Sequence, residues 1–321
     1  MGRKKTFSKQ ELATLSAEEI NHKIIYENYS LLKSLGGEKL RREMIPVGKL
    51  CRTAVDLFLA TSGPKKDVDL HSKNAQKKLV KVLSKLTPGE WADFSVPDGR
   101  GLVVGFNHPS LGEIARIMTM KIEKMGGRMM LFPVNLPWYE ALAKYYDKIK
   151  MLNIIITPTI TPSTWAKLDL KEDSPIYEDA MRIRREFRDM YTAMSERILN
   201  EGGVLFVAPS ATRQAKVFKT PAIYRKEEEI IPTMAVLALR VLKDPRVNCD
   251  FLPMGVLPPK NYKRGLNLRK KYRLIPGEVF AAEEIRAKYF NKDGSAPKRL
   301  EGFDWDFHKR IADTLPKEFW Y

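Results

Sequence analysis

Cysteine is scarce in this chain: Cys51 and Cys249 are the only two among 321 residues, and they stand far apart. Neither belongs to a metal-ligand spacing, so the sequence indicates no disulfide framework and no zinc site, and a reducing compartment is expected. No apolar run approaches the roughly 18 residues of a membrane span, and the charged start at Met1 leads into no signal-peptide core. These absences favour a cytoplasmic protein, with peripheral attachment to a membrane as the alternative.

Acidic residues are outnumbered, because 56 Lys and Arg stand against 39 Asp and Glu, a formal net charge of +17. Such an excess favours anionic partners, which include nucleic acid, an anionic membrane, an acidic carrier protein and phosphorylated small molecules. Net charge does not choose among them. No helix-turn-helix, zinc or RNA-binding signature occurs, and aromatic residues are not interleaved with the basic runs, which disfavours the nucleic-acid alternative.

The chain is 44% hydrophobic and can bury a large core. Residues 1–90 carry a helical pattern and predict a helical N-terminal subdomain, whereas 91–321 alternate short β-rich runs with amphipathic stretches, which is typical of an α/β domain. We therefore expect a layered domain with a central mixed, largely parallel sheet flanked by helices. The clearest helix runs from Pro175 to about Asn200 and stops at Gly202-Gly203. The predicted strands are Leu102–Phe106, Met129–Val134, Ile154–Thr157, Val204–Ala208 and Phe251–Val256.

A polar step, Asn107-His108-Pro109, ends the first of these strands, and Glu113 follows five residues after the histidine. Pro109 disfavours a helical conformation for His108 and suits position N1 of the helix that runs on through Glu113. The histidine should therefore lie outside that helix, with its ring free to turn back over the first turn. There a carboxylate can accept from one ring nitrogen and leave the other as a base for deprotonating a hydroxyl. The alternative is a structural histidine beside a solvated Glu113.

Two further histidines have an acid five residues later, His22 with Glu27 and His308 with Asp313. Both pairs lie within helical patterns, where five residues place side chains about 140° apart around the axis, so neither pair can act together. We expect these histidines to be surface or packing residues.

A second polar turn follows another predicted strand in the stretch GGVLFVAPSATRQ, which begins at Gly202. It places the hydroxyls of Ser210 and Thr212 and the guanidinium of Arg213 at a predicted strand end. Open α/β sheets bind ligands at such strand ends, and an arginine there suits a phosphate group. The alternatives are a surface salt bridge for Arg213 and a solvated face for the basic run around it. From Gly202 to Lys226 no acid occurs, and the cations are Arg213, Lys216, Lys219, Arg225 and Lys226.

The stretches NHPSLGE and FVAPSATRQ, followed by FLPMGVLPP, resemble the His-x4-Asp, phosphate-binding and proline motifs of the glycerolipid acyltransferase superfamily. Within it, the chain is most similar to the soluble plastid-type glycerol-3-phosphate acyltransferases, which also have an Ala-Pro-Ser-x-x-Arg turn and a helical N-terminal subdomain. The resemblance extends from about Trp91 to Phe280.

This resemblance implies transfer of an acyl group from acyl-CoA or acyl-carrier protein to a hydroxyl of a small anionic acceptor, glycerol-3-phosphate in the plastid-type enzymes. It implies His108 as general base, Glu113 as the group that orients it, and neither a metal, a cofactor nor a covalent acyl-enzyme. Lysophospholipid or amino-alcohol acceptors remain alternatives. The residues implied to contact substrate are Asn107, Ser210, Thr212, Arg213, Lys216 and Lys219.

Three positions depart from the superfamily pattern. Glu113 replaces the usual aspartate, as it does in lipid A acyltransferases. Ser210 stands where lysophosphatidate acyltransferases carry a glutamate, which disfavours that subfamily. Ala215 stands where the plastid-type enzyme has a second arginine, so Lys216 or Lys219 would have to take that role.

Overall fold

The computed structural model describes residues 72–86, 89–92, 94–95, 99–109, 113–135, 153–159, 165, 172–173, 175–209, 233–259 and 271–319. They fall into two compact units, one holding the described residues from 130 to 197 and the other those from 72 to 129 and from 198 to 319. Most of the predicted N-terminal subdomain, and with it the His22 and Glu27 pair, lies outside the described residues. The division of the chain at residue 90 therefore stays a prediction.

Helices and strands alternate through most of the described chain. The helices are α1 Lys73–Leu86, α2 Glu113–Met125, α3 Pro175–Asn200, α4 Thr233–Leu242, α5 Ala282–Tyr289 and α6 Phe303–Asp313, with a 3-10 turn at Lys317–Phe319. The strands are β1 Gly89–Trp91, β2 Gly101–Phe106, β3 Met130–Asn135, β4 Ile154–Thr159, β5 Val204–Val207, β6 Cys249–Leu257 and β7 Tyr272–Pro276. Within this part of the chain, no helix is long and apolar enough to cross a membrane.

The sheet of the larger unit has its strands in the order β1, β7, β6, β2, β5. β2 is parallel to both β5 and β6, and β1 is parallel to β7, whereas β6 and β7 run antiparallel. Every residue of β2 is buried. A strand buried on both faces is expected to read as a continuous apolar run, as Leu102 to Val104 does. The predicted mixed, largely parallel sheet is confirmed.

The smaller unit contains the parallel pair β3 and β4, in register from Met130 with Ile154 to Asn135 with Thr159. The greater part of α3 also belongs to it, and that helix buries an apolar stripe that includes Ala180, Ile183 and Phe187. The stripe follows the helical repeat of three and four residues, which is the pattern that predicted the helix.

All five predicted strands are confirmed, with ends that differ by no more than two residues. The predicted long helix is confirmed as α3, and Gly202 after it adopts a positive φ of 73° that glycine reaches without strain. β1 and β7 were not predicted. Their sequences, GEW and YRLIP, are short and mix polar with apolar residues, so neither forms the continuous apolar run that predicted the other strands.

Helix α6 packs on the sheet at β2 and β6 and binds α4 through a carboxylate. A Cβ atom added at Gly105 would come 2.4 Å from Phe307 Cε1, so only glycine allows this approach. Asp304 accepts hydrogen bonds from the backbone N–H groups of Met234 at 2.8 Å and Ala235 at 3.1 Å, at the start of α4. Burial raises the pKa of Asp304 to about 6, against the lowering effect of these two hydrogen bonds.

His308 lies within α6, as its helical pattern predicts. The side chain is buried, and Nδ1 lies 2.7 Å from the carbonyl oxygen of Asp304 one turn earlier. Burial lowers the pKa of His308, against the raising effect of that contact. Asp313 is exposed at the end of the same helix. His308 is therefore a packing residue, as expected.

Helix α1 packs along α2 in the antiparallel sense. A Cβ added at Gly126, just after α2, would lie 2.6 Å from Gln76 Nε2 in the first turn of α1. At the opposite end, a Cβ added at Gly89, just after α1, would lie 2.7 Å from Arg116 Cγ near the start of α2. α1 buries Leu79 and Leu83 and thus covers one side of α2.

Lys121 of α2 makes the stability of the fold depend on pH. Its side chain is buried, Nζ donates to the carbonyl oxygen of Gly126 at 3.1 Å, and burial lowers the pKa of this lysine from 10.5 to about 7. Between these two values the unfolded chain binds more protons than the folded one, so the free energy of unfolding should rise with pH across that window.

We expect Lys121→Met to remove this dependence. The difference in the free energy of unfolding between Lys121→Met and the parent protein should shrink as pH rises from about 7 to about 10, because burial of the charged amine costs the parent less at high pH. Urea denaturation at several pH values measures it, with the exposed Lys81→Met as the control. A difference that does not change with pH would contradict the expectation.

Candidate active site

Three strand ends meet at one edge of the larger unit's sheet. Because β5, β2 and β6 are parallel neighbours, with Gly105 beside both Val207 and Pro253, their carboxyl ends lie together. The chain leaves β2 toward His108, and it leaves β5 through Pro209 toward the second polar turn. The carboxyl edge of a parallel sheet is where α/β proteins bind ligands.

His108 and Glu113 are in contact at this edge. β2 ends at Phe106, the described part of α2 begins at Glu113, and the Nδ1 atom of His108 is hydrogen-bonded to Oε1 of Glu113. The Glu113 side chain is fully buried, whereas the His108 side chain is 16% exposed. The ring of Phe106 meets the imidazole edge to face, with centroids 6.1 Å apart. The alternative of a solvated Glu113 is wrong, and the structure brings the predicted pair together.

The start of α2 differs from the prediction. Pro109 is buried but lies in no helix, so the assignment of Pro109 to position N1 is wrong. The described part of α2 begins at Glu113, and residues 110–112 lie outside the described residues. The carboxylate belongs to the first turn, where backbone N–H groups lack partners within the helix and the dipole favours negative charge. Glu113 is thus placed where a helix stabilises an anion.

Asn107 joins the ends of two strands. Its side-chain Nδ2 donates to the carbonyl oxygen of Val256 at 2.9 Å, and its Oδ1 accepts from the N–H of the same residue at 2.5 Å. The side chain is only 2% exposed. The amide thereby fixes the chain next to His108 against β6, and a contact between Asn107 and substrate stays a prediction.

Two buried residues that the sequence analysis did not select lie behind the pair. Arg116 follows Glu113 by three residues on α2, and its Cζ lies 4.8 Å from the ring centroid of Tyr272, the first residue of β7. Both side chains are fully buried. Burial lowers the pKa of Arg116 to about 10, while Tyr272 and Glu113 raise it, so the guanidinium stays charged at neutral pH. The spacing of three between an acid and a base on one helix is the signal that could have revealed it.

The second predicted constellation lies outside the described residues. Strand β5 and the two residues after it are described, and they bring the chain to the edge where His108 lies. Lys271, just before β7, and Arg273, within it, both pair with Glu90 of β1. No group of metal-ligating side chains is present among the residues that the structure describes. The predicted contacts outside the described residues are Ser210, Thr212, Arg213, Lys216 and Lys219.

Neither a family model nor a curated protein matches this sequence. Among solved structures, the chain is similar to the crystal structure of the 1-acyl-sn-glycerophosphate (LPA) acyltransferase PlsC from Thermotoga maritima, with 13% sequence identity and a TM-score of 0.38. That similarity covers 85% of this chain and 94% of the other.

We expect Asn107→Ala to lower the free energy of unfolding by about 2 kcal/mol, because it leaves the N–H and the carbonyl of Val256 unpaired in a buried site. Chemical denaturation measures the change. Asn248→Ala is the matched control, since Asn248 is exposed just before β6, and it should change stability by less than about 0.5 kcal/mol. Equal stabilities for the two variants would show that the Asn107 amide does not hold these strand ends together.

Proposed function

We propose that this chain is an acyltransferase of the glycerolipid type, which moves an acyl group from a thioester to a hydroxyl. The observation that supports it most is the contact between His108 Nδ1 and the buried Glu113 carboxylate at the carboxyl edge of the sheet. A histidine held in this way can act as a general base, and its position after a strand matches the motif that the sequence resembles.

The proposed reaction follows from the two ring nitrogens of His108. The Glu113 carboxylate accepts a hydrogen bond from Nδ1–H, which holds the neutral imidazole in the tautomer that has its lone pair on Nε2, free for the acceptor's hydroxyl proton. As that proton moves to Nε2, the hydroxyl oxygen attacks the thioester carbonyl. The new C–O bond forms, the C–S bond breaks, and the imidazolium returns the proton to the leaving thiolate. Glu113 stabilises the imidazolium while it exists.

For the acceptor, we propose a small phosphorylated alcohol, with glycerol-3-phosphate as the first candidate. Strand β5 runs parallel to β2 and ends beside it, so the turn after Pro209 starts at the edge that holds His108. That turn continues in sequence through Ser210, Thr212 and Arg213. An arginine that binds the phosphate would place the acceptor's hydroxyl near the base.

We further propose that α1 provides a surface for an anionic membrane. The helix carries no acid, buries Leu79 and Leu83 against α2, and exposes all of its lysines. Lysines four apart on one helix repel each other, so the arrangement costs stability unless an anion covers it. Each lysine near an anionic bilayer contributes about 1 kcal/mol of attraction. The lysines are Lys73, Lys77, Lys78, Lys81 and Lys85.

The proposal of a catalytic base predicts that His108→Ala lowers kcat by roughly 10²–10⁴-fold with the fold retained. The assay follows free thiol released from acyl-CoA or acyl-carrier protein in the presence of candidate hydroxyl acceptors. His308→Ala is the matched control, and its turnover per folded molecule should stay close to that of the parent. Equal losses in both variants would remove His108 from the mechanism, and a parent protein that releases no thiol with any acceptor would overturn the proposed function.

The proposal for the acceptor predicts that Arg213→Ala raises the acceptor's KM by about ten- to a hundredfold, with little change in KM for the thioester. This factor corresponds to the free energy lost with one charge-assisted hydrogen bond. Arg213→Lys should rescue it in part, because a point charge cannot form two parallel hydrogen bonds. Steady-state kinetics with both substrates varied separates the two constants. A rise confined to the thioester's KM would assign the turn to the donor.

The membrane proposal predicts that the parent protein sediments with phosphatidylglycerol vesicles at low salt and does not bind phosphatidylcholine vesicles. Replacing the five α1 lysines with Gln should abolish the sedimentation with phosphatidylglycerol vesicles. The matched control changes five exposed lysines elsewhere to Gln and should retain most of the binding. Equal losses in the two variants would show that net charge alone matters, which contradicts a surface on α1. The control positions are Lys243, Lys292, Lys298, Lys309 and Lys317.

A further inference from the structure

A fully buried guanidinium lies one helical turn from the Glu113 carboxylate. Glu113 and Arg116 are three residues apart on α2, a spacing that places their Cβ atoms about 5–6 Å apart on one side of the helix. Neither side chain is exposed. Burial of a charge is costly unless an opposite charge or a hydrogen-bonding partner compensates it. The proposed mechanism uses only His108 and Glu113, so it does not explain why a charged arginine is buried next to them.

The packing of Arg116 fixes its charged end. Its Cζ lies over the ring of Tyr272, which attracts a cation through its π face. Its Cγ lies next to Gly89 of β1, where a Cβ would approach within 2.7 Å. The stem is thereby held by one strand and the head by another, so the guanidinium cannot turn away to solvent. Glu113 is the acid whose charge acts on it.

The other charged groups of the elements around the pair are balanced elsewhere. On β1 and β7, Glu90 pairs with Lys271 and Arg273, and all three side chains are more than half exposed. On α2, Lys121 is five residues beyond Arg116, and its amine donates to the carbonyl of Gly126 at the far end of the helix. Glu123 and Lys124 lie in the last turn of α2, far from Glu113, and the lysines of α1, which packs on α2, are exposed. Among the described cations of α1, α2, β1 and β7, Arg116 is the one nearest in sequence to Glu113 and buried with it.

The proton balance of the pair depends on such a cation. A buried carboxylate next to a histidine tends to hold a proton between them, either on the acid or as an imidazolium. A histidine that already carries the proton cannot remove one from a substrate. A cation behind the carboxylate disfavours that extra positive charge and keeps the acid ionised, so that Nε2 stays free to accept a proton at neutral pH.

We propose that Arg116 is a positioning residue that, from behind Glu113, keeps the carboxylate ionised and the His108 ring unprotonated. The consequence for catalysis rests on the proposed function, whereas the effect on the protonation of the pair does not. Without Arg116, the pair should bind its proton more tightly by about tenfold or more, since a unit charge at this range changes proton affinity by that order.

The test compares Arg116→Met with Lys121→Met, which removes the other buried cation of α2 by the same substitution. Two readouts are taken: the pH profile of kcat, and the pH titration of the His108 ring by NMR in ¹⁵N-histidine-labelled protein, with the signal identified by its loss in His108→Ala. Arg116→Lys keeps the charge but loses the planar fork. If Arg116→Met does not fold, Arg116→Gln replaces it as the variant that removes the charge.

In Arg116→Met we expect the acidic limb of the pH profile and the midpoint of the ring titration to move upward by about one pH unit. Activity should then recover as pH rises, a response that loss of packing would not produce. Lys121→Met should leave both readouts in place, and Arg116→Lys should move them less than Arg116→Met. A ring titration unchanged in Arg116→Met, or shifted equally in Lys121→Met, would overturn the inference. If the His108 titration shifts in Arg116→Met but the protein consumes no thioester, the positioning role of Arg116 is supported and the proposed acyltransferase function is overturned.

Discussion

The parallel alignment of β2 between β5 and β6 is the constraint on which the proposed site depends. The register sets Gly105 beside Val207 and Pro253, so three chain segments emerge at the same edge and in the same direction. Only from there can His108 leave the strand and meet the first residue of α2. Asn107 stabilises this alignment because its side-chain amide both donates a hydrogen bond to the backbone of β6 and accepts one from it. A shift of β2 by one residue would turn the histidine to the other face of the sheet.

Buried charge is the second feature that separates this site from an ordinary strand end. Glu113 and Arg116 are both without solvent exposure. The start of α2 stabilises the carboxylate, and the π face of Tyr272 stabilises the guanidinium. Since such charges cost free energy that an apolar pair would not, their retention is better explained by chemistry than by stability. The same reasoning does not assign a chemical role to Lys121, because its amine lies at the opposite end of α2 from Glu113.

The sequence predicted the parts of the fold that local pattern determines. The five central strands are continuous apolar runs, and α3 has both a helical stripe and a defined start and stop, so each was located within two residues. β1 and β7 were not predicted because their sequences, GEW and YRLIP, are short and mix polar with apolar residues, and β7 follows directly after a basic run. Their pairing depends on contacts between residues about 180 positions apart, for example Gly89 with Tyr272, which no local pattern shows.

At the site, the sequence located His108 and Glu113 because a polar step after a buried strand is unusual, but it placed Pro109 at N1 of α2, and Pro109 lies in no helix. Proline is favoured at N1, but that preference alone does not fix the residue at which a helix begins. The sequence passed over Arg116 because a cation on an amphipathic helix usually faces water, and only the fold reveals that β1 and β7 cover it.

The described cations therefore divide into two kinds, and ionic strength distinguishes them physically. The lysines of α1 are exposed, so salt at physiological concentration screens their attraction to an anion beyond about 8 Å. Arg116 is fully buried, so salt should screen its proposed effect on Glu113 much less. A net charge of +17 thus says little about the reacting groups, because exposed cations act on encounter with anionic surfaces, whereas the proposed effect on the proton of the pair needs only one buried cation. Added salt should weaken association with an anionic surface and leave the proton balance of His108 and Glu113 nearly unchanged, which follows from burial alone.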